Sequence, residues 1–509
     1  MAVTSRRASH ILAIDQGTTS TRAFLYRLDL GTPVATASRE LPQVYPRDGW
    51  VEHSPDEIWS ATVATCSEVL ARSRVRADAL AAIGITNQRE TTLLWDRRSG
   101  EPLGNAICWQ DRRGEPRCRA LREQGQDKLI RERTGLLADS YFSATKLEWM
   151  LDQDSSLRTR AARGELAFGT VDTYLLWRLT GGDCHCTDVT NASRTMLYDI
   201  HRQCWDSDLL SLFDVPEAVL PEVVDSAGTY GHTDAEHFGA RVPVCALVGD
   251  QQGAMVGQGC TRPGMIKSTY GTGCFALVNT GAQPVLSKSG MVATVAYRAG
   301  ARSAYALEGS IFNAGSTIQW LRDEMQLIRT AAQSEAVAAS LVDNGGVYLV
   351  PAFTGLGAPH WDADARAAVI GLRRDTGAAH MVRAALEAVA YQTYDLLEAM
   401  RDDGIAPPAV MRVDGGMVEN QWLMQFLADI CAVPVERPAD SETTVRGAAM
   451  LAAIGAGVLD SLEDAAALWQ LDRVFEPRLD AARRSALIDG WGDAVARTRS
   501  FPTGSDRRK

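Results

Sequence analysis

Ile11-Leu12-Ala13-Ile14-Asp15-Gln16-Gly17-Thr18-Thr19-Ser20, continuing through Ala23-Phe24-Leu25-Tyr26, reads as a strand, a Gly-Thr turn and a second strand. Each apolar run has the length of a strand, and glycine at the reversal lets the backbone approach another group closely. A second copy runs through Met265-Ile266-Lys267-Ser268-Thr269, Tyr270-Gly271-Thr272-Gly273 and Phe275-Ala276-Leu277-Val278, with Gly271 lying 254 residues after Gly17. A turn rimmed with threonine hydroxyls and free backbone N–H groups suits phosphate oxygens. Two related halves that each open on such a hairpin predict a nucleotide clamped between two domains, and hence phosphoryl transfer.

At 509 residues the chain exceeds what one hydrophobic core serves. The glycine-rich Gly257-Gln258-Gly259 and Arg262-Pro263-Gly264 place a boundary that divides residues 1–258 from 259–500, with a polar tail at 501–509. A formal net charge of -11 argues against a general polyanion binder. Five lysines accompany forty-seven arginines, a composition bias that specifies no ligand. The ten cysteines show no spaced framework. Cys184-His185-Cys186 lacks a second pair of ligands nearby, so reduced thiols are expected and a zinc site is not. No stretch has the h-region of a signal peptide or the ~20 apolar residues of a membrane span, which leads to a cytoplasmic expectation.

Strand-like and helix-like stretches alternate along the first half, as in an α/β domain. Ser54-Pro55-Asp56-Glu57 reads as a capping box opening a helix to about Arg72. Leu80 to Ile85 reads as a buried strand, with Thr91-Thr92-Leu93-Leu94-Trp95 as its neighbour, and Val242 to Gly249 as the last strand before Asp250. The second half predicts a helix from about Ser316 to Leu327, a strand at Val347 to Val350 and a long helix from about His380 to Met400. A strand at Val410 to Val413 then runs into Asp414-Gly415-Gly416. The helix beyond it carries Trp422, Leu423, Phe426, Leu427 and Ile430 on one face.

Several nucleotide signatures are missing. No Gly-Lys dipeptide occurs, so there is no Walker A loop, and no His-Arg-Asp or Asp-Phe-Gly set marks a protein kinase. Gly271-Thr272-Gly273-Cys274-Phe275-Ala276 fits a loose GxGxxA pattern, but it lies between two strands instead of opening a helix.

An ordered series of motifs spans the chain from about residue 10 to about residue 495. It comprises Asp15 to Ser20, Gly49-Trp50-Val51-Glu52-His53, Gly84 to Thr92, Gly169-Thr170-Val171-Asp172-Thr173 and Thr190-Asn191-Ala192-Ser193-Arg194-Thr195-Met196. It continues with Gly249-Asp250-Gln251-Gln252, Tyr270 to Phe275, Pro351 to Pro359 and Arg412-Val413-Asp414-Gly415-Gly416. This series resembles the FGGY carbohydrate kinases of the actin-like, two-domain ATPase superfamily, and within them the members that phosphorylate glycerol. The resemblance implies two actin-like (ribonuclease H-like) α/β domains around a cleft, with glycerol and ATP as substrates and Mg²⁺ as cofactor.

The same resemblance assigns roles to single residues. Asp250 follows a strand and could merely cap a helix; its sequence context implies the base that takes the proton of the attacking hydroxyl. Asp15 could be only a hairpin residue, and its place beside Thr18 and Thr19 makes it a candidate Mg²⁺ ligand. Arg89, Glu90, Tyr141 and Gln251 are implied to bond glycerol hydroxyls. Trp109 and Phe275, which taken alone read as core, are implied to pack on the carbon backbone. Thr18, Thr19, Ser20 and Arg22 belong to the first phosphate hairpin and Thr272 to the second, while Gly315, Gln319, Gly416 and Asn420 are implied to line the nucleotide.

Regulatory features depart from the family more than the chemistry does. Some relatives bind fructose 1,6-bisphosphate at a glycine-rich loop, whereas Thr233 to Arg241 has one glycine and two acids. His237-Phe238 resembles a segment that carries a phosphorylated histidine in other relatives, which makes a phosphocarrier protein of the sugar phosphotransferase system a candidate partner. A homodimer or homotetramer is implied. Two rival readings stand beside this one. A kinase for another polyol or ketose is separated by a substrate panel, and an actin-like assembly or regulatory protein by nucleotide-dependent filaments without acceptor-dependent turnover.

Overall fold

The computed structural model describes residues 8–300, 302–362 and 364–499. Its first sheet grows from the opening hairpin. Strand β1 (His10–Gln16) pairs antiparallel with β2 (Ser20–Arg27), and Gly17 N–H donates to the Ser20 carbonyl at 2.9 Å to close the turn. Residues 11–16 are all buried, which explains the near-continuous apolar run of a strand covered on both faces. Strand β3 (Ala35–Glu40) forms one edge, with Arg39 and Glu40 exposed as charged edge residues. On the other side lie β4 (Leu80–Asn87), parallel to β1, then β6 (Pro243–Gly249), parallel to β4, and the antiparallel edge strand β5 (Ala227–His232). Helix α1 (Pro55–Ser73) covers this sheet, with Ser54 Oγ accepting from Glu57 N–H at its start.

The second sheet repeats the pairing rule. Strands β7 (Ile266–Tyr270) and β8 (Cys274–Gly281) form the hairpin, and β10 (Arg302–Ile311) flanks β8 with β9 (Val292–Ala299) as an added edge. On the far side β11 (Met411–Asp414) is parallel to β7, β12 (Val435–Pro438) is parallel to β11, and β13 (Leu471–Phe475) is antiparallel. The two-domain, duplicated α/β architecture expected from the repeated hairpin is therefore present.

Thr91 to Trp95 corrects one expectation. Leu93–Asp96 pairs with Leu166–Gly169 in a separate two-stranded sheet and is not the neighbour of β4. Strand β4 already has β1 on one side and β6 on the other, so no edge is left for it. The backbone also turns sharply at Glu90, whose φ is 63°.

Two helices join the halves. Helix α2 (Asp250–Gly257) leaves β6, while α3 (Gly315–Asp323), α4 (Ala378–Asp402), α5 (Gln421–Cys431) and α6 (Thr443–Gly455) belong to the second half. Helix α3 ends four residues earlier than the apolar pattern suggests, and α4 extends two residues beyond the expected span at each end. Helix α6 packs against β1, β4 and β6 of the first sheet and crosses α2. Ile11, Ala13 and Val248 of the first sheet thereby share one apolar cluster with Leu277 of the second and with Val445, Ala449 and Ala452 of α6. The crossing brings backbone against backbone: a Cβ on Gly447 would lie 1.9 Å from the Gly253 carbonyl oxygen, and one on Gly257 1.9 Å from that of Thr443.

Adding a methyl group there must push the helices apart. Gly447→Ala is expected to cost about 1–3 kcal/mol, as overpacked cores do, read as a lower melting temperature. An unchanged melting temperature would show that the crossing tolerates a side chain.

Candidate active site between the two sheets

Strands β1, β4 and β6 are parallel and in register, with Gln16 beside Asn87 and Asn87 beside Gly249. Their carboxyl ends therefore deliver Gly17 to Ser20, Gln88 to Glu90 and Asp250 to one rim, the place where open α/β sheets bind ligands. Strands β7 and β11 do the same from the other side, with Thr269 beside Asp414. Gly271 to Gly273 and Gly415-Gly416 follow. Five strand ends thus bring together the Gly17–Ser20, Gln88–Glu90, Asp250, Gly271–Gly273 and Gly415-Gly416 segments.

Arg89 is the hub. Its Nε lies 3.2 Å from Asp250 Oδ1, its Nη1 donates to Gln252 Oε1 at 3.2 Å, and both terminal nitrogens reach Glu308 at 2.6 and 3.1 Å. Glu90, adjacent on the turn, accepts from Arg194 Nε at 2.5 Å, and Arg194 Nη2 donates to Glu308 Oε1 at 3.0 Å. Arg89, Glu90, Arg194 and Glu308 are all buried, so charge balance is obligatory. Burial alone would raise the Glu308 carboxyl, but Arg194 and Arg89 bring it down to about 2. Asp250 is different. Its side chain retains about a third of its exposure (31%), and desolvation at the cleft floor holds its carboxyl above the ordinary aspartate range despite the pull of Arg89. That is a partly accessible carboxylate with raised proton affinity.

Trp109 and Phe275, read from sequence as apolar cover, stand together with Tyr141, read as a hydroxyl partner, in one aromatic wall. Trp109 meets Tyr141 at 5.5 Å and Phe275 at 6.3 Å between ring centroids, both edge to face. Trp109 Nε1 also donates to Thr18 Oγ1 at 2.9 Å, tying this wall to the first hairpin. Gln251 Oε1 accepts from Lys267 Nζ at 2.5 Å, and the buried Lys267 bonds Thr269 and the Phe275 carbonyl as well. The Tyr141 segment is held from beneath by Lys146, whose ammonium donates to the carbonyls of Ser140, Tyr141 and Phe142.

At the two hairpin turns, Thr18 and Ser20 are half-buried and Thr19 and Thr272 exposed. Arg22 does not stand free: its Nε and Nη2 reach Asp15 Oδ2 at 3.1 and 2.5 Å, and its Nη1 reaches Glu442 Oε2 at 2.7 Å. Asp15 and Arg22 are register partners on β1 and β2. The second hairpin abuts α3, since Gly315 N–H donates to the Gly271 carbonyl at 3.0 Å. Gly415 adopts a φ of 90°, and a Cβ there would lie 2.5 Å from the Tyr270 carbonyl oxygen, so the position requires glycine. The exposed Gly416 has nothing within 4 Å of a Cβ position, and Gln319 is exposed on α3. Asn420 caps α5 by accepting from Leu423 N–H at 2.9 Å. His237 lies elsewhere, on a short helix Ala235–Phe238. Its Nε2 is 3.1 Å from the Arg178 carbonyl and its ring meets Trp59 edge to face, so a phosphoryl group could reach that nitrogen only after the bond breaks.

Among the residues of this site that received no role from sequence are Arg194, Lys267 and Glu308. Arg194 stands inside a quoted motif. Lys267 and Glu308 are charged residues inside buried strands, a pattern that signals a buried, partnered charge.

Lys146 gives a pH test. Burial lowers its pKa from the ordinary 10.5 to about 8. Between those values the unfolded chain binds the extra proton, so this group makes stability rise with pH from about 8 to 10.5. Lys146→Met is expected to remove that component. Equal pH slopes of the denaturant midpoint in the two proteins would contradict it.

Comparison with known proteins agrees with this geometry. Residues 10–257 match the N-terminal domain model, and residues 266–456 the C-terminal domain model, of the FGGY family of carbohydrate kinases. Glycerol kinase of Rhodospirillum centenum is 58% identical over 490 residues, covering 96% of this chain and 98% of that protein. The crystal structure of Plasmodium falciparum glycerol kinase with ADP superposes with a TM-score of 0.90 at 36% identity, covering 97% and 98% of the two chains. Xylulose kinase from Lactobacillus acidophilus, at 21% identity and a TM-score of 0.85 over 96% and 97%, shares the fold. With both domain models matched in order and close relatives aligned nearly end to end, the chain belongs to the FGGY family of carbohydrate kinases.

Proposed function

We propose that this protein is an ATP:glycerol 3-phosphotransferase, converting glycerol and MgATP to sn-glycerol 3-phosphate and ADP. The observation that carries the reading is the juxtaposition of Asp250 with Arg89 and Glu90 beside the Trp109–Tyr141–Phe275 wall. A small polyol needs hydroxyl partners on one side and apolar surface on the other. Full-length similarity to glycerol kinases supports the same acceptor. The xylulose kinases share the fold at lower identity and keep a ketose as the alternative to exclude.

In this reading Arg89, Glu90, Tyr141 and Gln251 orient the glycerol hydroxyls, and Trp109 and Phe275 cover its carbon backbone and exclude water. Asp250 accepts the proton of the terminal hydroxyl as its oxygen bonds to the γ-phosphorus and the bond to the ADP oxygen breaks. Thr18, Thr19, Ser20, Arg22 and Thr272 hold phosphate oxygens, and Gly315, Gln319, Gly416 and Asn420 line the nucleotide.

Mg²⁺ fits the residues present through Asp15, whose Oδ1 makes no hydrogen bond among the described residues while Oδ2 holds Arg22. Among the described residues no cluster of three or more His, Cys, Asp or Glu could cage an ion, which suits a cation carried largely by phosphate and water. Bound Mg²⁺ supplies charge neutralisation on the phosphates. No helix among the described residues is long and apolar enough to cross a membrane. We place the enzyme in the cytoplasm as a homo-oligomer.

ADP release with MgATP should depend on glycerol, and should be weak or absent with xylulose, erythritol or no acceptor. Turnover on xylulose or erythritol in place of glycerol would overturn the acceptor, and ATP binding without turnover on any acceptor would overturn the kinase reading. Asp250→Asn should lower kcat by about 10²–10⁴-fold. With the Asp250 carboxyl raised, kcat/KM should fall on acidification with a limb above the ordinary aspartate range, and that limb should vanish in the variant. Asp15→Asn should raise the Mg²⁺ concentration needed for half-maximal rate while leaving the glycerol KM unchanged; equal Mg²⁺ dependence would remove Asp15 from the metal site.

A further inference from the structure

Among the described residues Glu308 makes no hydrogen bond or ion pair with Asp250, Trp109 or Tyr141, yet it joins two of the charges on which the acceptor site depends. It projects from β10 of the second sheet, whereas Arg89, Glu90 and Arg194 belong to the first half. Its carboxylate reaches both terminal nitrogens of Arg89, at 2.6 and 3.1 Å, sharing Nη1 with Gln252 Oε1 and leaving Nε for Asp250. That bidentate fork sets the plane of the guanidinium, which a single contact would leave free to rotate. The Glu308 Oε1 atom is shared with Arg194 Nη2 at 3.0 Å, and Arg194 in turn holds Glu90 at 2.5 Å. Arg194 Nη1 is buried with no hydrogen-bond partner among the described residues, and its carboxylate partners there are Glu90 and Glu308, with the Tyr141 and Phe142 rings beneath the guanidinium. Glu90 sits at a φ of 63°, a conformation that a residue with a Cβ keeps only when its surroundings impose it.

We propose that Glu308 is a positioning residue for the acceptor: it holds Arg89 directly, and Glu90 through Arg194, in the arrangement that binds the polyol. The proposal rests on the assignment of Arg89 and Glu90 to glycerol above. Its consequence is that half of the acceptor site's geometry is imposed from the opposite domain. The acceptor pocket is complete only while the second sheet is seated on the first. A purely structural Glu308 would do something else, since loss of a buried counter-charge that merely supports the fold weakens both substrates together.

The test uses the full-length protein with the wild type measured first. Glu308→Gln removes the charge, and Glu308→Asp keeps it but is one methylene too short to serve both guanidiniums. Steady-state constants for glycerol and MgATP are measured along with the rise in melting temperature caused by ADP. In both variants the glycerol KM is expected to rise about tenfold or more, with the MgATP KM within about twofold and the ADP-induced rise retained. Should neither variant fold, Arg194→Lys, which preserves the charge count but not the fork, carries the same expectation. An unchanged glycerol KM, or glycerol and MgATP constants rising by the same factor, overturns the positioning role. If the wild type itself shows no glycerol-dependent ADP release, the functional reading fails and the proposal with it. Normal wild-type turnover beside unaffected variants removes the positioning role alone.

Discussion

The buried cluster of Arg89, Arg194, Glu90 and Glu308 is the constraint around which the molecule is organised. Two guanidiniums and two carboxylates removed from water are tolerable only as a balanced, hydrogen-bonded set, since an unpaired member is far more costly than the set is stabilising. Three members come from the first half and one from the second. The cluster therefore demands a defined seating of one sheet on the other, and Asp250 at its margin inherits that geometry through Arg89 Nε.

The apolar interface meets the same demand. Helix α6 leaves the second sheet to lie on the first, and its crossing with α2 is close enough that Gly447 and Gly257 face carbonyl oxygens directly. Contacts between backbones leave little latitude for sliding. Since α2 begins at Asp250, the tight crossing anchors the segment that carries the carboxylate. Arg22 adds a polar tie at the cleft rim, spanning Asp15 on β1 and Glu442 just ahead of α6. That tie is only partly buried and contributes less than the buried cluster, because solvent screens its Glu442 end.

Much of the fold was legible locally. The hairpins around Gly17 and Gly271, the Ser54 cap and the strand running into Asp414-Gly415-Gly416 follow from short-range patterns of strand length, turn chemistry and capping. Thr91 to Trp95 was misread as the neighbour of the preceding strand. Adjacency in sequence suggests pairing, but whether a strand edge is open depends on β6, which arrives some 150 residues later. The site divides in the same way. Asp250, Arg89 and Glu90 stand in motifs at strand ends, whereas nothing near Glu308 in sequence indicates that its partners are residues 89 and 194.

By itself, the sequence determined the duplicated α/β plan, the two phosphate-type turns and the identity of the acidic and basic residues at the rim, because each depends on residues within one or two turns of backbone. Only the tertiary structure decided which charges neutralise one another, that Trp109 braces Thr18, that Arg22 is shared between Asp15 and Glu442, and that Arg89 pairs with Glu308 from the opposite sheet. The physical reason is range. Hydrophobic periodicity and turn preference act between neighbours along the chain, but a buried charge must be answered by whatever the packed fold brings within about 3 Å of it.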